Sequence, residues 1–433
     1  MNHKKYLALA LPLTFSTVTT PLLGAVDTAV VGQLPDPAYL GGVAIGAVIF
    51  NTMYWLFGFL RVSTSGFAAQ ALGAKDELQE TLSFVRPFLI ALLIGLMFLI
   101  LQNPIVNTAM SLLNPAEDVE ALAVDYFNIR IWGVPVTFIN YVILGWLMGM
   151  SCIRLAVTIQ IAMNLLNIAL DLLFVVGFSW GVAGVASATL IAEVSAMLLG
   201  IHFLMKRTQF TFNLLPAKQI FEASALKKMI AVNQDLFIRT VCLLAVFNIF
   251  TYKSASFGTE TLAANAVLIQ IHYLMAYFFD GFSNASSILS GKAVGSKDGG
   301  LYKRTLALSS QWALFTAAFL TAIYWLLSEP VIRLFTGIPE VIAIADHYSM
   351  WLLLFPISTS IGIIFYGIFT GATNTAPVRK SMLFALALFL AVYFLAVPAF
   401  GNHGLWLAFI AFSAGRSVFL ALYVPGLSRR FYL

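Results

Sequence analysis

Residues 40–76 read LGGVAIGAVIFNTMYWLFGFLRVSTSGFAAQALGAKD, and they align without a gap with residues 262–298, which read LAANAVLIQIHYLMAYFFDGFSNASSILSGKAVGSKD. Both stretches are largely apolar and end in the same G-x-K-D pattern. Farther along each half, GVPVTFINYVILGWLMG (133–149) resembles FPISTSIGIIFYGIFTG (355–371). A self-similarity that holds at an offset of about 220 residues predicts that the chain consists of two related halves.

The composition is that of a membrane protein with many spans. Of the 433 residues, 60% are hydrophobic and only 10% are charged, and 37 are phenylalanine, which is far from the composition of a soluble domain. Apolar runs of about 20 residues, the length of a bilayer-spanning helix, recur along nearly the whole chain. We therefore predict an all-α polytopic membrane protein with twelve transmembrane helices, near residues 6–31, 40–70, 83–106, 119–149, 155–177, 181–205, 228–252, 261–290, 302–327, 341–372, 378–399 and 403–425.

Each predicted half contains six helices. Because six is an even number, both halves enter the membrane with the same orientation, and a pseudo-two-fold axis along the membrane normal relates the two bundles. We predict an N-lobe at 1–205, a cytoplasmic linker at 206–227 and a C-lobe at 228–433. Two similarly oriented bundles around a central site are typical of transporters, because rocking of the bundles exposes that site to each side in turn.

The distribution of basic residues predicts the orientation in the membrane. Lysine and arginine concentrate at the N-terminus, in alternate loops and at the C-terminus, whereas the opposite loops hold only Lys253 and Arg333. The positive-inside rule makes the basic side, with both termini, cytoplasmic. This topology explains the formal charge of +5 without a nucleic-acid partner. The two cysteines, Cys152 and Cys242, predict neither a disulfide framework nor a metal cluster.

The first predicted helix carries an acid in an apolar environment. Asp27 lies within YLALALPLTFSTVTTPLLGAVDTAVV (6–31), and a carboxylate at the centre of a bilayer costs about 2.5 to 3.5 kcal/mol. Pro21, nearly two turns earlier, removes a backbone donor, so it predicts a kink and a carbonyl without its helical partner. Together these residues indicate a proton or cation site.

Three further polar residues of the N-terminal half lie at a similar depth. Asn167 and Asp171 are spaced i, i+4 on one face of the fifth helix, and Thr189 lies about two turns into the sixth. We predict that they form one cluster with Asp27, which binds a proton or, through its oxygen atoms, Na⁺. The alternative is a polar core that fixes helix packing. Glu193, one turn beyond Thr189, either joins this cluster or pairs with Arg130.

The C-terminal half carries a different set of charges. Asp235 and Arg239 are spaced i, i+4 on the seventh helix, and Asp280 and Arg416 lie at a similar depth on the cytoplasmic side. A buried ion-pair network that fixes the seventh helix is one interpretation, and contact with substrate is the other.

Several segments carry a family resemblance. They are GAVDTAVVGQL around Asp27, the N-x-x-x-D of Asn167 and Asp171, GVAGVASATLIAE around Thr189, NQDLFIRT (233–240) and YFFDGFSNASSILSGKAVGSKDG (277–299). With the two six-helix halves, they resemble multidrug and toxic compound extrusion (MATE) transporters of the DinF branch over essentially the full chain. The resemblance implies export of cationic and amphipathic drugs, coupled to protons or to Na⁺, by rocking of two lobes. It also implies a cation site at Asp27, Asn167, Asp171 and Thr189. Some members have a tyrosine where this chain has Leu23.

Two other functions remain to be weighed. A lipid-linked oligosaccharide flippase of the same superfamily would need several basic residues to bind a pyrophosphate, whereas the N-terminal half offers mainly acids. An enzyme would need a P-loop, an H-E-x-x-H motif or a sizeable loop, and the sequence has none of them. We expect a monomeric transporter without a cofactor, driven by a H⁺ or Na⁺ gradient, in the bacterial cytoplasmic (inner) membrane. Its expected partners are small organic substrates and membrane lipids.

Overall fold

The computed structural model describes residues 1–32, 36–207 and 217–429, and for residues 19–29 and 207 it describes the backbone alone. Every regular element in these ranges is helical. The α-helices are α1 (His3–Val31), α2 (Pro37–Phe57), α3 (Phe59–Ala74), α4 (Glu77–Ile100), α5 (Gln102–Leu113), α6 (Glu117–Arg130), α7 (Val134–Gly149), α8 (Ile153–Asp171), α9 (Gly181–Arg207), α10 (Ala217–Ile220), α11 (Ala223–Ala255), α12 (Thr259–Gly295), α13 (Gly299–Phe335), α14 (Pro339–Gly371), α15 (Ala376–Phe400), α16 (Asn402–Ala421) and α17 (Val424–Arg429). A 3₁₀ turn, Ile131–Gly133, and a π-helical turn, Leu172–Gly177, connect neighbouring helices.

The predicted spans correspond to these helices. Eleven stretches of the described ranges are long and apolar enough to cross a membrane, and α1 covers the predicted first span. The span predicted at 40–70 lies within one candidate span, Pro37–Ala74, which is interrupted at Gly58, where α2 ends and α3 begins. The helix predicted at 302–327 begins earlier, because the Asp298 carboxylate accepts a hydrogen bond from the Leu301 amide at 2.8 Å and caps α13.

Two glycines make a close contact between helices in the first half. Gly145 and Gly149 of α7 face the backbone carbonyls of Arg61 and Ser65 in α3, and a Cβ at either glycine would clash with the facing carbonyl. This small-x-x-x-small spacing lets two helix backbones approach each other closely, as is common in membrane proteins.

The second half repeats this contact. Gly367 and Gly371 of α14 face the backbone carbonyls of Ser283 and Ser287 in α12, again with no room for a Cβ. These four residues follow their counterparts in the first half by the same number of positions; the counterparts of Ser283, Ser287, Gly367 and Gly371 are Arg61, Ser65, Gly145 and Gly149. The repeat that the sequence predicts is therefore present in the helix packing of both halves.

The turn that ends each G-x-K-D segment is also repeated. Lys75 and Lys297 have positive φ values of 56° and 53°. The aspartate that follows each lysine caps the next helix, since Asp76 accepts from the Gln79 amide at 3.0 Å, as Asp298 does from Leu301. A left-handed residue followed by an N-cap ends one helix and begins the next, which explains the shared motif.

The chain forms two compact units. The N-terminal unit contains Val18–Met229, and the C-terminal unit contains Ile230–Leu433 together with Met1–Thr17. This division differs from the predicted limits 1–205, 206–227 and 228–433 at the first helix, which the sequence assigned to the N-lobe throughout. Of the predicted linker, residues 208–216 lie outside the described residues.

Hydrogen bonds explain why the beginning of α1 belongs to the C-terminal unit. The Tyr6 hydroxyl lies 3.0 Å from Oγ of Ser286, and the Thr17 hydroxyl donates to the carbonyl of Tyr277 at 2.9 Å. Gly281 of α12 faces the backbone of Thr14, with no room for a Cβ between them. The pairing of α1 with α12 depends on contacts between residues far apart in the chain, which a linear division of the sequence does not contain.

Candidate functional site

Asp27 and Pro21 lie in α1, but their side chains lie outside the described residues. The backbone around both residues is helical. The predictions of a proton or cation site at Asp27 and of a kink at Pro21 therefore stay predictions.

The other three members of the predicted cluster contact one another in the N-terminal unit. The Asn167 amide Nδ2 donates to Oδ2 of Asp171 at 2.9 Å and approaches Oγ1 of Thr189 at 3.4 Å. Asn167 is 1% exposed and Asp171 is 0% exposed. The structure thus brings together Asn167 of α8 and Thr189 of α9, which lie 22 positions apart in the sequence.

Local structure positions these side chains. Asp171 is the last α-helical residue of α8, and the π-helical turn Leu172–Gly177 follows it directly. Such π-helical turns are rare in proteins, and many of those that do occur lie at functional sites. Gly184 lets α9 approach this turn, because a Cβ there would lie 3.2 Å from Val175 and 3.3 Å from the backbone of Phe174.

The cluster offers oxygen atoms that can accept a proton or coordinate a cation. The Thr189 hydroxyl donates to the Val185 carbonyl at 3.0 Å, so its lone pairs face the amide. Oδ1 of Asn167 is buried and has no hydrogen-bond partner among the described residues. A carboxylate, an amide oxygen and a hydroxyl suit a hard cation, and a buried carboxylate with a neutral hydrogen-bond donor also readily binds a proton. In the described ranges, no three His, Cys, Asp or Glu side chains are grouped as a metal site would need.

Glu193 pairs with Arg130, as one of the two sequence-based alternatives states. The pair is bidentate, with Nη1 to Oε2 at 2.8 Å and Nη2 to Oε1 at 3.1 Å. Arg130 also donates to the Tyr54 hydroxyl at 3.1 Å, and the Asn140 amide donates to the backbone carbonyl of Glu193 at 2.9 Å. Both charged side chains are buried, so this pair is a structural clamp between α6 and α9.

Asp235 does not pair with Arg239 in the C-terminal unit. Its carboxylate accepts from Nη1 of Arg379 at 2.6 Å and from the Thr375 hydroxyl at 2.8 Å. Arg379 and Thr375 lie at the start of α15, so Asp235 fixes the seventh predicted span to the eleventh. The partner of Asp235 in the structure, Arg379, lies outside the predicted set, because α15 brings its guanidinium to this carboxylate.

Two other members of the predicted C-terminal set, Arg239 and Arg416, line a pocket. The guanidinium of Arg239 stacks over the ring of Tyr366, 4.3 Å from the centroid. Arg416 donates to the Thr359 hydroxyl. Of the four predicted charges, Asp235 therefore forms an ion pair with Arg379, Arg239 and Arg416 line one pocket, and Asp280 lies in α12.

The sequence analysis missed several residues that complete these sites. Arg379 and Thr375 lie at the junction of two spans, where arginine was interpreted only as a topology signal. Tyr54 and Asn140 lie in apolar helices, where a single polar side chain gives no indication of its partner. The polar side chains of Tyr54 and Asn140 could have indicated a buried charge nearby, because polar groups inside a membrane protein need hydrogen-bond partners.

Comparisons with known proteins agree with the fold. The sequence profile of the MatE family matches residues 12–173 and 236–395. The chain is 37% identical over 418 residues to DNA damage-inducible protein F of Escherichia coli (strain K12), covering 95% of this chain and 90% of that protein. It is 22% identical over 363 residues to a probable multidrug resistance protein NorM of Listeria monocytogenes serotype 4b (strain F2365), covering 83% of this chain and 79% of that one.

A solved structure shares the fold. It is an outward-facing conformation of a multidrug resistance MATE family transporter of the MOP superfamily, and it superimposes with a TM-score of 0.90 at 19% identity. The match covers 100% of this chain and 97% of the other. The predicted fold class, an all-α membrane protein with twelve spans in two bundles, is confirmed. The chain belongs to the MATE family of multidrug and toxic compound transporters, in its DinF branch.

Proposed function

We propose that this protein is an antiporter that exports cationic or amphipathic organic compounds in exchange for protons. Na⁺ is the alternative coupling ion. The coupling site consists of Asp27, Asn167, Asp171 and Thr189, and transport proceeds by alternating access.

The buried Asp171 carboxylate is the observation that carries the proposal. Its hydrogen-bond donor at 2.9 Å is the neutral amide of Asn167, whereas the buried acids Glu193 and Asp235 each bond to an arginine. An acid beside a guanidinium stays ionised, but a buried acid bonded to an amide gains and loses a proton far more readily. A second carboxylate at Asp27 would raise the proton affinity of the site further.

Proton binding would also change the first helix. A neutral carboxyl group can donate a hydrogen bond, so protonation of Asp27 would allow a bond to the carbonyl that Pro21 leaves without its helical partner. Spin labels on the outer end of α1 and on α6 should report a distance that changes between high and low pH. The change should disappear in Asp27→Asn and weaken in Pro21→Ala; a distance that is independent of pH in the wild type would contradict the mechanism.

The remaining parts of the proposal concern the setting of transport. The protein lies in the bacterial cytoplasmic membrane with both termini cytoplasmic, works as a monomer, and is not an enzyme. It needs no cofactor and no nucleic acid, because the ion gradient supplies the free energy. The flippase alternative requires a strongly basic central site, and the acidic N-terminal cluster argues against it.

The test is uptake of a cationic dye into everted membrane vesicles that contain the protein. An imposed pH gradient, acidic inside, should drive uptake, and an imposed Na⁺ gradient at equal pH should not. Asp27→Asn and Asp171→Asn should each reduce the proton-driven rate at least about 100-fold, because an amide keeps the shape but cannot bind and release a proton.

Asp125→Asn is the matched control, since Asp125 of α6 is an exposed acid of the same unit. It should transport at the wild-type rate. Wild-type transport by folded Asp171→Asn would contradict the assignment of the site, and uptake driven by Na⁺ alone would replace the proton by Na⁺ as the coupling ion.

A further inference from the structure

An open groove lies between α8 and α9 of the N-terminal unit, where α8 begins and α9 ends. The proposed topology makes this side of the membrane cytoplasmic. The groove is lined by Arg154, Leu155 and Thr158 of α8 and by Phe203 and Lys206 of α9. Its volume is about 630 Å³, and it is open along one side, so a long ligand can extend out of it. Asp171 lies at the other end of α8, so the groove is separate from the acidic cluster.

The two positive side chains of the groove have no anionic partner within the described part of the chain. Arg154 and Lys206 are both exposed, and no carboxylate of a described residue lies within 4.0 Å of their nitrogen atoms. Other arginines predicted on the same side do have such partners, since Arg86 lies 3.6 Å from Glu222 and Arg379 bonds to Asp235. The groove therefore presents two cations to a ligand, and none of its lining residues is an acid.

The first turn of α8 adds to the positive potential of the groove. Cys152, the N-cap residue of this helix, makes no capping hydrogen bond with its side chain. The N-terminal end of a helix dipole is positive and stabilises a nearby anion. Arg154 lies in this first turn, so its charge and the end of the helix act on the same ligand.

The lining residues change from charged to apolar along the two helices. Thr158 lies about one turn deeper in α8 than Arg154, and Phe203 lies about one turn deeper in α9 than Lys206. Leu165, two turns beyond Thr158 on the same face of α8, is 62% exposed, so the apolar surface continues past the groove. From the end of the helices inward, a ligand therefore meets two cations, a hydroxyl and then apolar side chains. A phospholipid has the same order of phosphate, glycerol esters and acyl chains.

We propose that this groove binds one anionic phospholipid of the phosphatidylglycerol type, with its phosphate between Arg154 and Lys206. The planar fork of an arginine matches two phosphate oxygens, and a lysine adds a compact positive charge. Basic pockets between transmembrane helices on the cytoplasmic side bind anionic lipid headgroups in other membrane proteins. Phosphatidylethanolamine fits less well, because the two cations repel its ammonium group. This lipid site goes beyond the proposed function, since it takes no part in binding the coupling ion.

Titration of the purified protein with lipid in a neutral detergent, followed by native mass spectrometry, tests the proposal by counting the bound lipid molecules. The titration compares phosphatidylglycerol with phosphatidylethanolamine that carries the same acyl chains. Phosphatidylglycerol should bind at least about fivefold more tightly, because its headgroup has no ammonium group. Arg154→Gln and Lys206→Gln should each reduce this preference, and the double variant should remove it. Both side chains are exposed, so the variants should keep the thermal stability of the wild type in detergent without added lipid.

Two further measurements separate the headgroup from the acyl chains. Glycerol 3-phosphate, which has the phosphate but no acyl chains, should not displace phosphatidylglycerol when both are present at equal concentration. Phe203→Ser should weaken the binding of both phospholipids by a similar factor, because it removes an apolar contact and leaves the charges unchanged.

Lys218→Gln is the matched control, because Lys218 is an exposed lysine of the same unit that lies in α10, outside the groove. It should keep the lipid preference of the wild type. Equal affinity for the two phospholipids, or an unchanged preference in the double variant Arg154→Gln/Lys206→Gln, would overturn the proposal. Displacement by glycerol 3-phosphate would also overturn it, in favour of a site for soluble phosphate esters. Because the readout is binding without an ion gradient, failure here is distinguishable from failure of the proposed antiport.

Discussion

The N-terminal and C-terminal units pack their helices alike but pair their buried charges differently. Gly145 and Gly149 of the first unit and Gly367 and Gly371 of the second make the same backbone contacts. Arg130, a buried arginine of the first unit, is paired with Glu193, whereas the partly exposed Arg416 of the second donates to the Thr359 hydroxyl.

The buried acids show the reverse arrangement. Asp171 in the N-terminal unit accepts from the amide of Asn167, while Asp235 in the C-terminal unit accepts from Arg379. The glycine-to-carbonyl contacts are thus common to both units and maintain the shared helix packing. The partner of each buried charge differs between the units, and that partner distinguishes structural residues from candidate functional ones. A buried charge with a close opposite partner holds helices together. A buried acid that accepts a hydrogen bond from an amide is a candidate for binding a proton or an ion.

Breaking the structural pair of the N-terminal unit should have the largest effect. Glu193→Gln leaves the Arg130 charge buried without its carboxylate, so we expect a loss of about 3 to 5 kcal/mol in the free energy of unfolding. Unfolding in mixed micelles with increasing denaturing detergent measures this loss. The double variant Arg130→Met/Glu193→Leu should recover much of the stability. If the double variant is as unstable as Glu193→Gln, Arg130 and Glu193 do not act as an isolated pair.

The shared scaffold should be equally sensitive in both units. Gly145→Val and Gly367→Val each place a side chain against a backbone carbonyl, and we expect each to cost about 3 kcal/mol, the upper end for overpacking. Gly337→Ala is the control, because a Cβ there meets no atom within 4 Å. Thermal unfolding of the three variants in detergent compares them. If only one of the two valine variants is destabilised, the glycine contact does not contribute equally to the stability of the two halves.

The ion-paired acid of the C-terminal unit should affect stability without affecting coupling. Asp235→Asn removes the partner of Arg379, whose side chain is 33% exposed, so solvent reduces the expected cost to about 1 to 2 kcal/mol. The pH dependence of dye uptake should remain that of the wild type, unlike in Asp171→Asn. A shifted pH dependence of uptake in Asp235→Asn would assign this acid to the coupling path instead.

Thr189 should contribute least among the members of the acidic cluster. Its oxygen lies 3.4 Å from the Asn167 amide, near the limit for a hydrogen bond, and its own proton is satisfied by the Val185 carbonyl. We expect Thr189→Val to cost less than about 1 kcal/mol of stability and to lower uptake by less than about threefold under a proton gradient. If Thr189→Val loses far more uptake than this and Thr189→Ser restores it, the hydroxyl binds the coupling ion directly.

Much of the candidate site could be predicted from the sequence, because its members follow local rules. The i, i+4 spacing of Asn167 and Asp171 places them on one helix face, and both are buried side by side in the structure. Thr189 was placed from its depth alone, which works because neighbouring spans cross the same bilayer. Arg379 could not be assigned to Asp235 in this way, since its sequence position indicates only a place near the end of a span.

The sequence by itself determined the membrane class, the number of spans, the repeat and the acids that need an explanation, because hydrophobic length and helical spacing are properties of contiguous residues. Only the tertiary structure decided which charges meet. It paired Glu193 with Arg130 and Asp235 with Arg379, left Arg239 and Arg416 around one pocket, and joined the beginning of α1 to the C-terminal unit. The physical reason is that a buried charge selects its partner by distance in space, and helix packing sets that distance independently of separation along the chain.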